Sequence, residues 1–119
     1  VYLSRLAQHA QNLHATPLLS AMLIRDESHC DEIFARPRLV FDCTVTVHAR
    51  DGALFATVLD QFEARFGETA NMVRELSDFS LFQLHPYGAR LVSGFARAVN
   101  LGDDAMITLF GASFRERKE

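Results

Sequence analysis

The sequence has no tryptophan, only two cysteines, and no apolar run long enough to cross a bilayer. Its longest such run, Pro17 to Ile24, has eight residues and is interrupted by Ser20, whereas a membrane-spanning helix needs about 20. Two cysteines, Cys30 and Cys43, are too few for a disulfide framework. We therefore expect two reduced thiols, no membrane partner and a cytoplasmic location.

The sequence also lacks an excess of positive charge. Lys and Arg total 12 and Asp and Glu total 15, which gives a net charge of −3. A weakly acidic surface disfavours binding to a phosphate backbone, so we expect no nucleic-acid partner. A length of 119 residues predicts a single domain over residues 1–119. Because the first residues resemble the end of a strand, we expect a fragment that lacks its first strands.

The hydropathy pattern predicts an α+β fold with an antiparallel sheet. The clearest signal is the strict alternation of apolar and polar residues from Leu39 to His48, typical of a long strand with one buried face. Residues 18–26 are apolar on both sides, which favours a central strand. We expect helices over residues 4–15, 54–66 and 68–76, strands over residues 18–26, 38–49, 79–85 and 90–100, and either a strand or a helix over residues 104–110.

Three glycines and one proline punctuate these elements. Gly67 is a natural end for the helix over 54–66. Pro86 and Gly88 predict a tight hairpin turn over residues 86–89. Gly94, inside the last long strand, predicts a bulge or the close approach of another backbone or a ligand.

Ser4 and Arg5 stand where the first helix is expected to begin. Free backbone N–H groups, a hydroxyl and a guanidinium in one place would bind an anion such as a phosphate. The alternative is an ordinary Ser cap beside a surface Arg, and the local sequence favours this alternative.

The remaining reactive side chains give weak signals. The five histidines lack the tight spacing of zinc ligands, so we expect no metal. Cys43 falls on the inward face of the long strand, where a small core residue is expected rather than a nucleophile. Arg90 lies near the start of a strand that contains Gly94. It could contact a flat ligand, or it could lie on an ordinary solvent-exposed face of the strand. No residue stands out as a general acid or base.

Three segments together resemble a known family. They are VYLSRLAQHAQNLHATPLLSAMLI, RLVFDCTVTV and LSDFSLFQLHPYGARLVSGFARAVNL, and they span about residues 1–101. In order and spacing they are similar to the pyridoxamine 5′-phosphate oxidase-related FMN-binding split barrels, on the side of the HugZ-type haem-utilisation proteins.

This resemblance implies an antiparallel split β-barrel with flanking helices, a homodimer, and FMN at the dimer interface. It places Ser4 and Arg5 at the FMN phosphate, which reverses the local interpretation. It places His9 and Asn12 at polar helix positions near the cofactor, and Arg90 on the late hairpin strand. The function expected from it is FMN-dependent oxidoreductase chemistry on a small-molecule substrate.

Departures from the family pattern support an alternative. Leu6 stands where pyridoxamine phosphate oxidases have a basic residue, and the chain has no tryptophan for their substrate site, so vitamin B6 oxidation is not expected. The alternative is a cofactor-free or haem-binding split-barrel module without redox turnover.

Overall fold

The computed structural model describes residues 1–29, 31–32, 36–94 and 97–111. These residues form five strands, four α-helices and one short 3-10 turn, Glu27–His29. The elements are, in chain order, β1 (Tyr2–Ser4), α1 (Gln8–Ala15), β2 (Leu18–Ile24), β3 (Arg38–His48), α2 (Ala53–Phe66), α3 (Glu68–Arg74), β4 (Phe79–Gly94), β5 (Arg97–Asn100) and α4 (Asp103–Phe110).

The strands form one sheet in the order β1-β4-β3-β2, with β5 paired to β4. The printed pairings of β1 with β4, β2 with β3 and β4 with β5 are all antiparallel. This confirms the α+β class with an antiparallel sheet. No helix among the described residues is long and apolar enough to cross a membrane.

The chain divides into two compact units. Unit 1 comprises Val1–Pro17 and Val45–Leu84, and its core is formed by Phe55 and Leu59 of α2 against Leu81 of β4. Burial of these apolar side chains stabilises the packing of α2 on the sheet. Whether the 119 residues act as a single domain stays a prediction.

Unit 2 comprises Leu18–Thr44 and His85–Glu119. Its buried side chains include Cys43 and Met106, and the rings of Phe41 and Phe110 lie 5.3 Å apart between centroids. These contacts hold α4 against β3.

The strongest periodic patterns are confirmed. In β3 the side chains of Phe41, Cys43 and Val45 are buried, while those of Asp42 and Thr44 are exposed. The helix predicted over 54–66 is α2, and it ends before Gly67, whose φ of 68° lies in the left-handed region. The predicted bulge at Gly94 is also present, as a register shift between Val92 and Gly94. Residues 104–110 are helical, within α4.

The hairpin turn predicted over residues 86–89 is wrong, because β4 runs without interruption from Phe79 to Gly94. Pro86 lacks a backbone N–H. It lies between the residues of β4 that pair with β1 and those that pair with β5. The end of β4 pairs antiparallel with β5, with Gly94 opposite Arg97.

The predicted central position of the second strand is also wrong. Among the described residues β2 pairs with β3 alone, and it lies at one end of the strand order. Leu18, Met22 and Leu23 are exposed, although they are apolar. Both faces of β2 are apolar, yet the other described elements of unit 2 do not cover its exposed side chains.

The first helix is shorter than predicted. It begins at Gln8 rather than at residue 4, and Ala7 occupies the capping position without a side-chain hydrogen bond. Ser4 is the last residue of β1 and does not cap α1. Its hydroxyl instead belongs to the connection between β1 and α1.

Candidate functional site

The candidate site lies in unit 1, at the connection between β1 and α1. The Ser4 hydroxyl donates to Asp78 Oδ2 at 2.7 Å and accepts from the Leu6 backbone N–H at 3.2 Å. The Arg5 backbone N–H donates to the Asp78 carbonyl oxygen at 2.7 Å. Asp78, from the segment before β4, therefore holds this connection with both its side chain and its backbone.

Two cavities flank the Arg5 side chain. One has a volume of about 400 Å³ and is lined by Arg5, Leu6, Gln11, Ser77 and Asp78. The other has a volume of about 580 Å³ and is lined by Arg5, Gln11, His14 and Ala15. The Gln11 amide donates to the Arg5 carbonyl oxygen at 3.1 Å, which ties the connection to α1. Arg5 thus presents a cation to both cavities.

The two polar residues predicted on the first helix do lie on α1, and both are exposed. The Asn12 side chain accepts a hydrogen bond from the Gln8 amide at 3.0 Å, so it is engaged within its own helix. His9 is an exposed imidazole. A second imidazole, His14, lines the larger cavity, and its ring packs edge-on against Phe82 with centroids 5.1 Å apart.

Arg90, the fifth predicted site residue, belongs to unit 2. It lies in β4 opposite Asn100 of β5. A cavity of about 190 Å³ is lined there by Asp42, Arg90 and Asn100, among others. Within unit 1 the structure brings Ser4 and Arg5 together beside α1, whereas Arg90 belongs to unit 2.

Asp78 is the member of the site that the sequence analysis did not single out. The only sequence signal for it is its place in the segment LSDFSLF, directly before a strand. Its carboxylate accepts a hydrogen bond from the Ser4 hydroxyl and puts a negative charge on the segment that holds Arg5. Because α1 begins three residues after Arg5, its N-terminus is not formed by Ser4 and Arg5. The structure therefore lacks the combination of helix terminus and free hydroxyl expected at a phosphate.

The buried cysteine matches its expected structural role. Cys43 is fully buried, and burial raises the pKa of its thiol to about 11, with a smaller contribution from the nearby Asp42. A thiol that keeps its proton is a poor nucleophile. Cys30 lies outside the described residues. Within the described ranges, no three His, Cys, Asp or Glu side chains group together as metal ligands.

Known proteins that are similar to this chain indicate its family. No protein-family model matches the chain. It is 38% identical over 107 residues to the heme oxygenase HutZ of Vibrio cholerae serotype O1, a match that covers 90% of this chain and 61% of HutZ. This similarity confirms the expected resemblance to the haem-utilisation branch of the pyridoxamine 5′-phosphate oxidase-like split barrels.

Solved structures agree with this assignment. The crystal structure of HutZ, described as the heme storage protein of Vibrio cholerae, matches with 42% identity and a TM-score of 0.69, covering 72% of this chain and 61% of that chain. Campylobacter jejuni ChuZ matches with 28% identity and a TM-score of 0.76, covering 87% of this chain and 43% of that chain. A heme binding protein from Mycobacterium smegmatis, at 20% identity and a TM-score of 0.74, shares the fold.

These matches confirm the expected family and the split-barrel architecture, and they correct the cofactor. The prediction of FMN is wrong, because HutZ is named as a heme oxygenase and as a heme storage protein, not as a flavoprotein. The alternative of a haem-handling module is better supported than the flavin-dependent oxidoreductase. The chain spans about three fifths of the length of HutZ.

Proposed function

We propose that this chain binds haem and forms part of a haem-utilisation protein. The observation that carries the proposal is the 38% identity to HutZ, spread over 90% of this chain. HutZ is described both as a heme oxygenase and as a heme storage protein. Binding is the step common to degradation and storage, so the proposal is a binding function.

The Arg5 surface, defined as Arg5 with the side chains of the two cavities beside it, has the chemistry that haem requires. Haem presents two carboxylates, a large apolar ring and an iron atom. Arg5 supplies a cation for a carboxylate. Leu6, with 84% of its side chain exposed, supplies apolar surface for the ring, and His14 supplies an imidazole, a common ligand of haem iron.

We assign the haem propionate to Arg5. Its guanidinium is exposed, whereas its backbone N–H and carbonyl are both used in hydrogen bonds that fix its position. A charge-assisted hydrogen bond of this kind contributes roughly 1.5–3 kcal/mol.

A haem titration followed at the Soret band tests this assignment. We expect Arg5→Ala to weaken haem affinity about 10- to 100-fold, since one charge-assisted bond is lost. Arg65→Ala is the matched control, because Arg65 is an exposed arginine of the same unit that stacks on Phe66 instead of lining either cavity. Equal affinity of the Arg5 and Arg65 variants would show that Arg5 does not hold the propionate.

We further propose that the protein is a homodimer joined through β2. The edge of β2 that faces away from β3 is unpaired among the described residues, and Leu18, Met22, Leu23 and Ile24 are all exposed. An edge strand with unpaired backbone groups and apolar side chains is a template for another chain. A second copy of the same strand would cover both.

A further inference from the structure

Arg50 makes more side-chain hydrogen bonds than its exposed location suggests. It lies in the connection between β3 and α2. Its guanidinium donates to the carbonyl oxygens of Arg74 at 3.2 Å and Phe79 at 3.3 Å, and also to that of Leu76. It donates in addition to the Tyr2 hydroxyl at 3.1 Å. One side chain therefore serves four acceptors within unit 1.

The same guanidinium lies over the ring of Phe55, 5.3 Å from its centroid. Phe55 is buried in the core of unit 1. A cation over an aromatic face is attracted by the ring quadrupole. The Arg50 head is thus held between the core on one side and the segment from α3 to β4 on the other.

The carbonyl acceptors bracket two residues of the candidate site. Leu76 and Phe79 stand on either side of Ser77 and Asp78, and both of these line the smaller cavity beside Arg5. Asp78 in turn fixes the Ser4 hydroxyl and the Arg5 backbone N–H. Arg50 is therefore linked to Arg5 by hydrogen bonds to both ends of this segment, by the backbone from Leu76 to Phe79, and by the hydrogen bonds of Asp78.

We propose that Arg50 is a positioning residue of the Arg5 surface, because it holds the segment from which Asp78 fixes Arg5. The inference rests on the proposed haem site. A planar guanidinium is required here, since only a fork of several N–H donors reaches acceptors on four residues at once. Lysine offers a point charge on a flexible stem and would keep a part of these contacts.

The test compares Arg50→Gln and Arg50→Lys with a matched control, Arg74→Gln. Arg74 forms ion pairs with Asp60 at 2.7 Å and Glu63 at 3.1 Å, and its hydrogen bond with Arg50 uses the Arg74 backbone carbonyl. The control therefore removes polar contacts between α2 and α3 and keeps the acceptors of Arg50. The two measurements are haem affinity and hydrogen exchange of the Arg5 amide, in the whole protein.

We expect Arg50→Gln to weaken haem binding about tenfold, as removal of an outer residue that orients a ligand group does elsewhere. Hydrogen exchange of the Arg5 amide should become faster. Amides in the middle of α2 should keep their relative order of protection against hydrogen exchange. Arg50→Lys should show a smaller loss, and Arg74→Gln should leave haem affinity and Arg5 exchange unchanged. If Arg50→Gln does not fold, the haem affinity and the Arg5 amide exchange of Arg50→Lys test the proposal instead.

Wild-type affinity and wild-type Arg5 exchange in the folded Arg50 variants would overturn the proposal. The same effects in Arg74→Gln would also overturn it, because general loosening of the unit would then explain them. Failure of the proposed function is distinct: the wild-type protein would not take up haem, yet the exchange of the Arg5 amide would still respond to Arg50.

Discussion

The Cys43 thiol is fully buried in β3, where Phe41 and Val45 lie on the same face. Burial raises the pKa of this thiol from 9.0 to about 11. The folded state then keeps a proton that the unfolded state loses above pH 9. The contribution to stability is therefore complete below about pH 9 and is lost as the pH rises towards about 11.

Denaturant unfolding at several alkaline pH values tests this prediction at the residue scale. We expect the free energy of unfolding of the wild-type protein to fall more steeply between about pH 9 and about pH 11 than that of Cys43→Ala. Other groups that titrate in this range are present in both proteins and cancel in the comparison. Parallel curves for the two proteins would contradict the assigned thiol pKa.

At the scale of elements, the junction of α2 and α3 depends on Gly67. Its φ of 68° is unfavourable for a residue with a Cβ, although no atom lies within 4 Å of the position that a Cβ would take. Gly67→Ala should therefore lower the free energy of unfolding by about 1 kcal/mol through backbone strain alone. Gly88→Ala is the control, since Gly88 lies in β4 with ordinary φ and open space around it. Equal unfolding free energies for the two variants would contradict the strain argument.

Elements whose periodicity reports their own burial could be predicted from the sequence. The alternation in β3 and the helical spacing in α2 express which face is covered, and the structure has both. The path of β4 through Pro86 could not be predicted, because residues 86–89 have the local chemistry of a turn and only the position of the neighbouring strands makes them extended.

The candidate site shows the same division. Arg5 could be predicted as a site residue, because the sequence places a hydroxyl and a guanidinium side by side at Ser4 and Arg5. Asp78 could not be predicted, because its hydrogen bond to Ser4 joins residues 74 positions apart. Arg50 reaches its acceptors across separations of 24 to 48 residues. Contacts of this range depend on the strand order, which hydropathy patterns do not encode.

At the scale of the whole molecule, the β2 edge predicts a dimer that one charge should disrupt. Leu23, with 62% of its side chain exposed, lies in this apolar strand. Leu23→Glu should shift the sedimentation coefficient from that of a dimer towards that of a monomer, because a buried charge at the interface is costly. Met72→Glu, at an equally exposed position on α3, should leave the dimer intact. A wild-type protein that sediments as a monomer would contradict the proposed interface.

The central claim is that the protein binds haem, and titration of the purified wild-type protein with haem tests it most directly. The account predicts a shifted Soret band that saturates at a fixed ratio of haem to chain, with affinity reduced by Arg5→Ala. A spectrum that remains that of free haem throughout the titration would contradict the claim.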